Sequence, residues 1–291
     1  MKTGYFLAAL LGGLAGAVLR GLALLHGYEP QTGLPVRGYL PSVLLAGLTA
    51  AMMIGLVLAA WAAFRRENGC TYETMFGSGG RLSGLLDVLA AAGMMACAGY
   101  ALTHRTQIIF EQSSSVHGEW IEPNTMIAAA AVAIWALGLL AGAALLVFGV
   151  RRMMGKAIAR TDGTCLLVPM FWGCLDLIMI YHENSGNPVL SQYSYFMLMV
   201  IAVLVVFYSI AAFLFAGKPS AVRYFAASGI MLQLALTHIG GIAVYHGMTA
   251  APDGVFSVVN LSNLLRIGVY TCMTVYLLVF FVQAVRNNKT T

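Results

Sequence analysis

Eight apolar stretches, each close to the length needed to cross a bilayer, divide this sequence at short polar intervals. About 20 mostly apolar residues in a helix cover roughly 30 Å of hydrocarbon. The stretches run approximately over residues 5–26, 39–64, 82–103, 125–150, 165–182, 193–216, 220–246 and 258–285. In lipid, backbone N–H and C=O groups must be satisfied without water, so runs of this length and hydrophobicity fold as helices. The expected fold class is all-α: a polytopic transmembrane helical bundle of about eight spans, one integral membrane domain over residues 1–291. The sequence shows no long linker, no low-complexity tract and no inverted repeat of the kind that marks many transporters.

The charge distribution supports the same reading. Only 9% of the residues are charged, against about 25% in soluble domains, too few to cover a water-facing surface. The net charge of +5 fits a membrane chain, because Lys and Arg accumulate in cytoplasmic loops. Nucleic-acid-binding signatures are absent. Lys2 precedes the first span, Arg65, Arg66 and Arg81 border the loop after the second, and Arg151, Arg152, Lys156 and Arg160 fill the loop after the fourth. Lys218 and Arg223 flank the turn after the sixth, and Arg286 and Lys289 follow the last. The alternate loops carry Glu111, Glu119 and Glu122, then Glu183, then Asp253. This alternation puts both termini in the cytoplasm. Lys2, the first apolar run and Ala15-Gly16-Ala17 also fit a cleaved signal peptide, but the lone Lys and the uninterrupted apolar continuation favour a retained span. The five cysteines form no C-x-x-C pair and none falls in an outer loop, which argues against a disulfide framework. Gly12-x-x-x-Gly16 and Gly138-x-x-x-Gly142 have the spacing that lets membrane helices approach closely, and ordinary packing within the chain accounts for both.

Ionisable residues inside a span cost several kcal/mol unless paired or hydrated, so each marks a candidate site. At about 1.5 Å of rise per residue, Arg20 and Asp176 lie roughly 9 Å from the outer ends of their helices, and His238 and Arg266 near 12 Å. Four groups on four helices therefore fall in one outer layer. A buried Asp stays ionised only beside a cation or several donors; one Asp against two arginines leaves positive charge to attract an anionic group. Alternatively, Asp176 with Arg20 or Arg266 is a packing salt bridge and the other arginine snorkels outward. Asp87 is expected to pair with Arg81. Gln233, Tyr208 and Tyr270 read as interhelical hydrogen-bonding groups.

The segment joining the fifth and sixth spans is rich in polar groups: Trp172, Asp176, Tyr181, His182, Glu183, Asn184, Ser185, Asn187, Tyr193 and Tyr195. Asp176 and Glu183 are seven apart and share one helix face. The residue before Pro188 avoids helical geometry, so Asn187-Pro188 marks a turn. This stretch forms either a capped hairpin or the rim of a pocket, which Asn260, Ser262 and Asn263 would also line. His238 and His246 have no facing axial partner for haem at matching depth, while His182 and His246 share the outer boundary and leave a metal or haem site open there as a minor alternative; no H-E-x-x-H, nucleophile elbow or phosphate loop occurs.

The segment Asp176-Leu177-Ile178…Tyr181…Asn184-Ser185…Asn187-Pro188-Val189…Tyr193-Ser194-Tyr195, ending in Phe215-Ala216-Gly217-Lys218-Pro219, resembles a pattern in uncharacterised multi-pass bacterial inner-membrane proteins. It covers under a fifth of the chain. The resemblance implies a bacterial inner-membrane setting and carries no activity with it.

The leading expectation is a non-enzymatic protein of the lipid bilayer that binds or passes a small solute, anionic by charge, or a lipid headgroup through an outward-facing polar cavity. Its binding residues would be Arg20, Asp176, His238, Arg266, Glu183, Asn184, Asn187, Tyr193 and Asn263. The alternative is a structural or assembly subunit, its polar groups satisfied internally, that packs with a membrane-protein partner or a second copy of itself. A membrane enzyme or haem carrier ranks behind both. No catalytic residue, metal ligand or cofactor is assigned.

Overall fold

The computed structural model describes residues 2–29, 34–67, 69–77, 80–113, 125–156, 158–185, 190–215, 219–248 and 261–287. Eight long helices dominate these residues: α1 (Lys2–His26), α2 (Leu40–Phe64), α3 (Arg81–Thr103), α4 (Thr125–Met153), α5 (Gly163–Ser185), α6 (Leu190–Phe215), α7 (Ala221–Met248) and α8 (Leu261–Asn287). All eight are long and apolar enough to cross a membrane. The chain is an integral, multi-pass membrane protein with an all-α bundle fold. An even number of crossings puts the start of α1 and the finish of α8 at the same end, called here the termini end; the other is the far end.

Helices α3 to α7 pack in chain order, each against the next, while α1 and α2 pack on each other and on α7. Helix α8 then packs against α3, α6 and α7. Helix α2 buries a single stripe, Leu45, Thr49, Leu56, Ala60 and Phe64, and exposes Leu44, Ile54, Leu58 and Trp61. An exposed apolar face of this kind is disfavoured in water and suited to acyl chains.

Close approach of the helices depends on glycine. A Cβ at Gly84 of α3 would strike the backbone of Met153 on α4, and one at Gly13 of α1 would come within 2.8 Å of Leu236 on α7. The paired glycines noted in the sequence face neighbours within the chain: Gly12 faces Met52, Gly16 faces Thr237, Gly138 faces Trp172 and Gly142 faces Met95. Two helices are irregular. Pro169 interrupts the hydrogen bonding inside α5, which membrane helices tolerate when neighbours resatisfy the backbone. Helix α7 contains a π-helical turn over Leu236–Gly240, a feature frequent at functional sites.

At the termini end the short helix Tyr72–Phe76, which follows α2, folds back into the bundle. Phe76 is 1% exposed and meets the rings of Phe213, Tyr224 and Phe280 edge-on. Asn287 Nδ2 donates to the Met75 carbonyl at 3.3 Å, which fixes this plug to the end of α8. Helix α4 runs on to Met153, past the boundary expected at residue 150. Arg152, expected in a loop, is therefore carried inside the bundle, where it is fully buried.

Candidate functional site

The far end of the bundle is organised around Arg266. Asp176 and Glu183, two turns apart on α5, point at α8, where Arg266 and Tyr270 lie one turn apart. Arg266 Nε donates to Asp176 Oδ1 at 2.9 Å, Nη2 donates to Glu183 Oε1 at 2.9 Å, and Nη1 donates to Glu183 Oε2. Tyr270 Oη donates to Asp176 Oδ2 at 3.0 Å. The Arg266 and Asp176 side chains are each 1% exposed, while Glu183 keeps 14% of its side chain accessible. Removing ions from water costs several kcal/mol each, and only good geometry with every donor and acceptor served repays it. Each of the three guanidinium nitrogens of Arg266 has a carboxylate acceptor, which serves three of its five N–H donors with charged partners.

Aromatic rings wall this network. Trp172 stacks on Tyr270 at 5.7 Å and anchors its own Nε1–H to the Ile134 carbonyl at 2.8 Å. The Trp135 ring lies 5.9 Å from Arg266 Cζ, a favourable place for a desolvated cation. Toward the far surface, Asn263 Nδ2 donates to Tyr193 Oη at 3.2 Å, joining α8 to α6.

A second polar group lies across Phe196 from the first. Arg20 of α1 is 2% exposed; its Nη1 donates to Tyr28 Oη at 3.2 Å, and its Cζ lies 4.9 Å from the Tyr195 ring. Its stem packs on Gly241, where a Cβ would come within 2.7 Å. His238, in the π turn of α7, lies within electrostatic reach of Arg20 and stacks on Phe196 at 5.1 Å. Both His238 ring nitrogens are buried without a hydrogen-bond partner among the described residues. Phe196 also meets Tyr270 edge-on at 5.6 Å. Arg20 and His238 thus form one half of a layer, Asp176, Glu183 and Arg266 the other, with Phe196 and Tyr270 between.

The geometry corrects several expectations. Arg266 is held by two carboxylates from α5, so it does not stand as surplus positive charge. Asp87 pairs with Arg152 of α4 and not with Arg81, because Asp87 is fully buried and only a cation carried inside can compensate it. Tyr208 is 48% exposed and meets α7 through its ring, 5.6 Å from Arg223 Cζ, instead of through a hydrogen bond; Gln233 Nε2 donates within its own helix, to Thr237 at 3.5 Å. Tyr270 does bond between helices, to Asp176. Asn187, Asn260 and the side chain of Asn184 lie outside the described residues. Among the described residues, no group of three or more His, Cys, Asp or Glu is placed to hold a metal ion. All five cysteines are free.

Sequence reasoning missed two contributors. Phe196 carries no signal of its own, since an apolar residue in an apolar span looks like any other. Arg152 did carry one: a second arginine beside Arg151 extends the helical register of α4 by a turn, in range of Asp87.

No family model, curated protein or solved structure matches the chain.

Proposed function

We propose that this membrane protein binds or passes a small solute or a lipid headgroup at the polar layer of its far end, with Glu183–Arg266–Asp176 as an exchangeable ion-pair network. The carrying observation is that two carboxylates share one buried guanidinium, one of them sealed and the other partly accessible. An incoming carboxylate or phosphate can displace Glu183 from Arg266 while Asp176 keeps the cation compensated. Neutralising either acid loosens one half of the clamp, which makes Asp176 the switch and Glu183 the exchangeable arm. Tyr193 and Asn263 form the rim, and His238, whose ring nitrogens bond to none of the described residues, faces the same layer beside Arg20.

The setting belongs to the same proposal: a bacterial inner membrane, with both termini cytoplasmic and the far end outward. The support is the concentration of Arg65, Arg66, Arg81, Arg151, Lys156 and Arg160 at the termini end, together with the resemblance of the segment between the fifth and sixth spans.

Native mass spectrometry of the protein released from nanodiscs tests the binding role. A small molecule or lipid retained by the wild type and lost in both Asp176→Asn and Glu183→Gln, with the fold kept, is the expected result. Identical retention in all three proteins would remove the site from consideration.

A second reading is favoured by one observation, the pairing of every Arg266 guanidinium nitrogen with a carboxylate of its own chain: the network is structural, and the chain is an assembly subunit. On that reading nothing is retained, and both variants lose stability without any change in bound mass.

A further inference from the structure

The lipid-facing stripes of α2 and α6 finish in the same way at the termini end. On α2 the exposed line Ile54, Leu58 and Trp61 leads to Arg65, whose Cζ lies 5.0 Å from the Trp61 ring. On α6 the exposed line Ile201, Val205 and Tyr208 ends at Arg223 of α7, whose Cζ lies 5.6 Å from the Tyr208 ring. Spacings of three and four residues put each line on one helix face. Trp61 is 55% and Tyr208 48% exposed, so each arginine is held against a ring that fronts the acyl chains.

The two arginine–ring pairs flank the start of one helix. Both α2 and α6 pack on α7. The Phe64 ring, next to Arg65, stacks at 3.6 Å on that of Phe225, two residues beyond Arg223. The turn Arg65–Glu67 follows, and Gly69 N donates to the Pro219 carbonyl at 3.1 Å, which ties the loop after α2 to the entry of α7. The N–H groups of the first turn of α7 add partial positive charge. Arg65, Arg66 and Arg223 are all exposed. Arg151 and Arg152 at this end are paired with Asp162 and Asp87. In contrast, no carboxylate of the described residues lies within ion-pair distance of Arg65, Arg66 or Arg223. Together with Glu67, these three side chains carry a net charge of +2.

This mixture of charge and apolar surface defines the occupant. Guanidinium groups pair with phosphate oxygens through parallel N–H donors. Trp and Tyr rings favour the headgroup level of a bilayer, and basic sites beside membrane helices take acidic lipid headgroups. A soluble anion would use the charge and leave the stripes bare. A phospholipid uses both, with its phosphate at the arginines and its acyl chains along Ile54–Leu58 and Ile201–Val205. We propose that the surface at the start of α7 binds an acidic phospholipid of the leaflet at the termini end, with Arg65 and Arg223 on the phosphate and Arg66 as a supporting cation. The site stands apart from the far-end layer and from any ligand held there.

Native mass spectrometry of the intact protein, released from nanodiscs holding equal amounts of phosphatidylglycerol and phosphatidylcholine, tests this. The wild type is expected to carry away more phosphatidylglycerol than phosphatidylcholine. Arg223→Gln should lower that ratio about fivefold, the effect of one arginine near a charged headgroup layer, and Arg65→Gln added to it should lower the ratio further. Arg81→Gln combined with Lys156→Gln, which removes as much charge from the same end but beside α3 and α4, should leave the ratio unchanged, as should Asp176→Asn at the far end. Equal retention of the two lipids by the wild type, or an unchanged ratio in Arg223→Gln, overturns the proposal. So does an equal fall in the Arg81 and Lys156 variant, which makes the preference a property of the basic surface at large. A second protein chain, or a second copy of this one, held through Arg65 and Arg223 in place of lipid overturns it equally. Arg223→Gln alone decides if the double variant fails to fold.

Discussion

At the residue scale, ionisable side chains in apolar spans were the most legible feature of the candidate site. Asp176 and Arg266 stand out in the sequence because nothing else in their spans carries charge, and they meet at 2.9 Å. Their stoichiometry was not legible. Glu183 counts among the loop charges and also shares a helix face with Asp176, but only the continuation of α5 through Ser185 shows that both acids meet the same guanidinium. Arg266→Met leaves two carboxylates facing each other across apolar surroundings, and breaking a buried pair from one side costs about 3–5 kcal/mol. Equilibrium unfolding should register that loss; a change below about 1 kcal/mol, typical of an exposed pair, would mean that the network is hydrated. His238 makes the opposite prediction. Its nitrogens bond to no described residue, so His238→Phe, which keeps a ring against Phe196, should leave the melting temperature unchanged or raise it while removing any ligand that the imidazole contacts. A large loss of stability in that variant would assign His238 a structural bond instead.

At the scale of elements, eight helices could be read from hydropathy alone, since a run of about 20 apolar residues admits few other structures in lipid. Their irregularities could not. The π turn of α7 arises where Gly16 and Thr237, and Arg20 and Gly241, press two helices together, and such long-range contacts leave no trace in local pattern. The extension of α4 has a similar origin, because Arg152 becomes a helix residue only through Asp87 and Gln283 on other helices. Glycine substitutions separate packed from open faces. Gly84→Ala forces a methyl group against the Met153 backbone, and overpacking of this kind costs about 1–3 kcal/mol. Gly55, with nothing within 4 Å of its would-be Cβ, should accept alanine with no loss, or with a gain of up to about 1 kcal/mol from helix propensity. Equal effects at the two positions would contradict the α3–α4 contact.

At the scale of the whole molecule, α8 carries a charged network at each end, Arg266 with α5 and Gln283 with the Asp87–Arg152 pair. Burial of charge in lipid demands that both be satisfied, so the two networks staple α8 to α3, α4 and α5. Orientation is a separate matter, argued from basic residues outside the bundle. Reporter fusions at residue 104, which follows α3, and at the C-terminus should report opposite sides of the membrane, with the C-terminus cytoplasmic. A periplasmic C-terminus would invert the proposed outward face. The polar layer itself rests most directly on Arg266, Asp176 and Glu183 acting as one unit. A double-mutant cycle of Asp176→Asn and Arg266→Met, read by reversible unfolding in mixed micelles, measures that unity. The cycle should return a coupling of about 0.5–3 kcal/mol, the range for residues in one network. Effects that add within about 0.3–0.5 kcal/mol, as for independent sites, would contradict it.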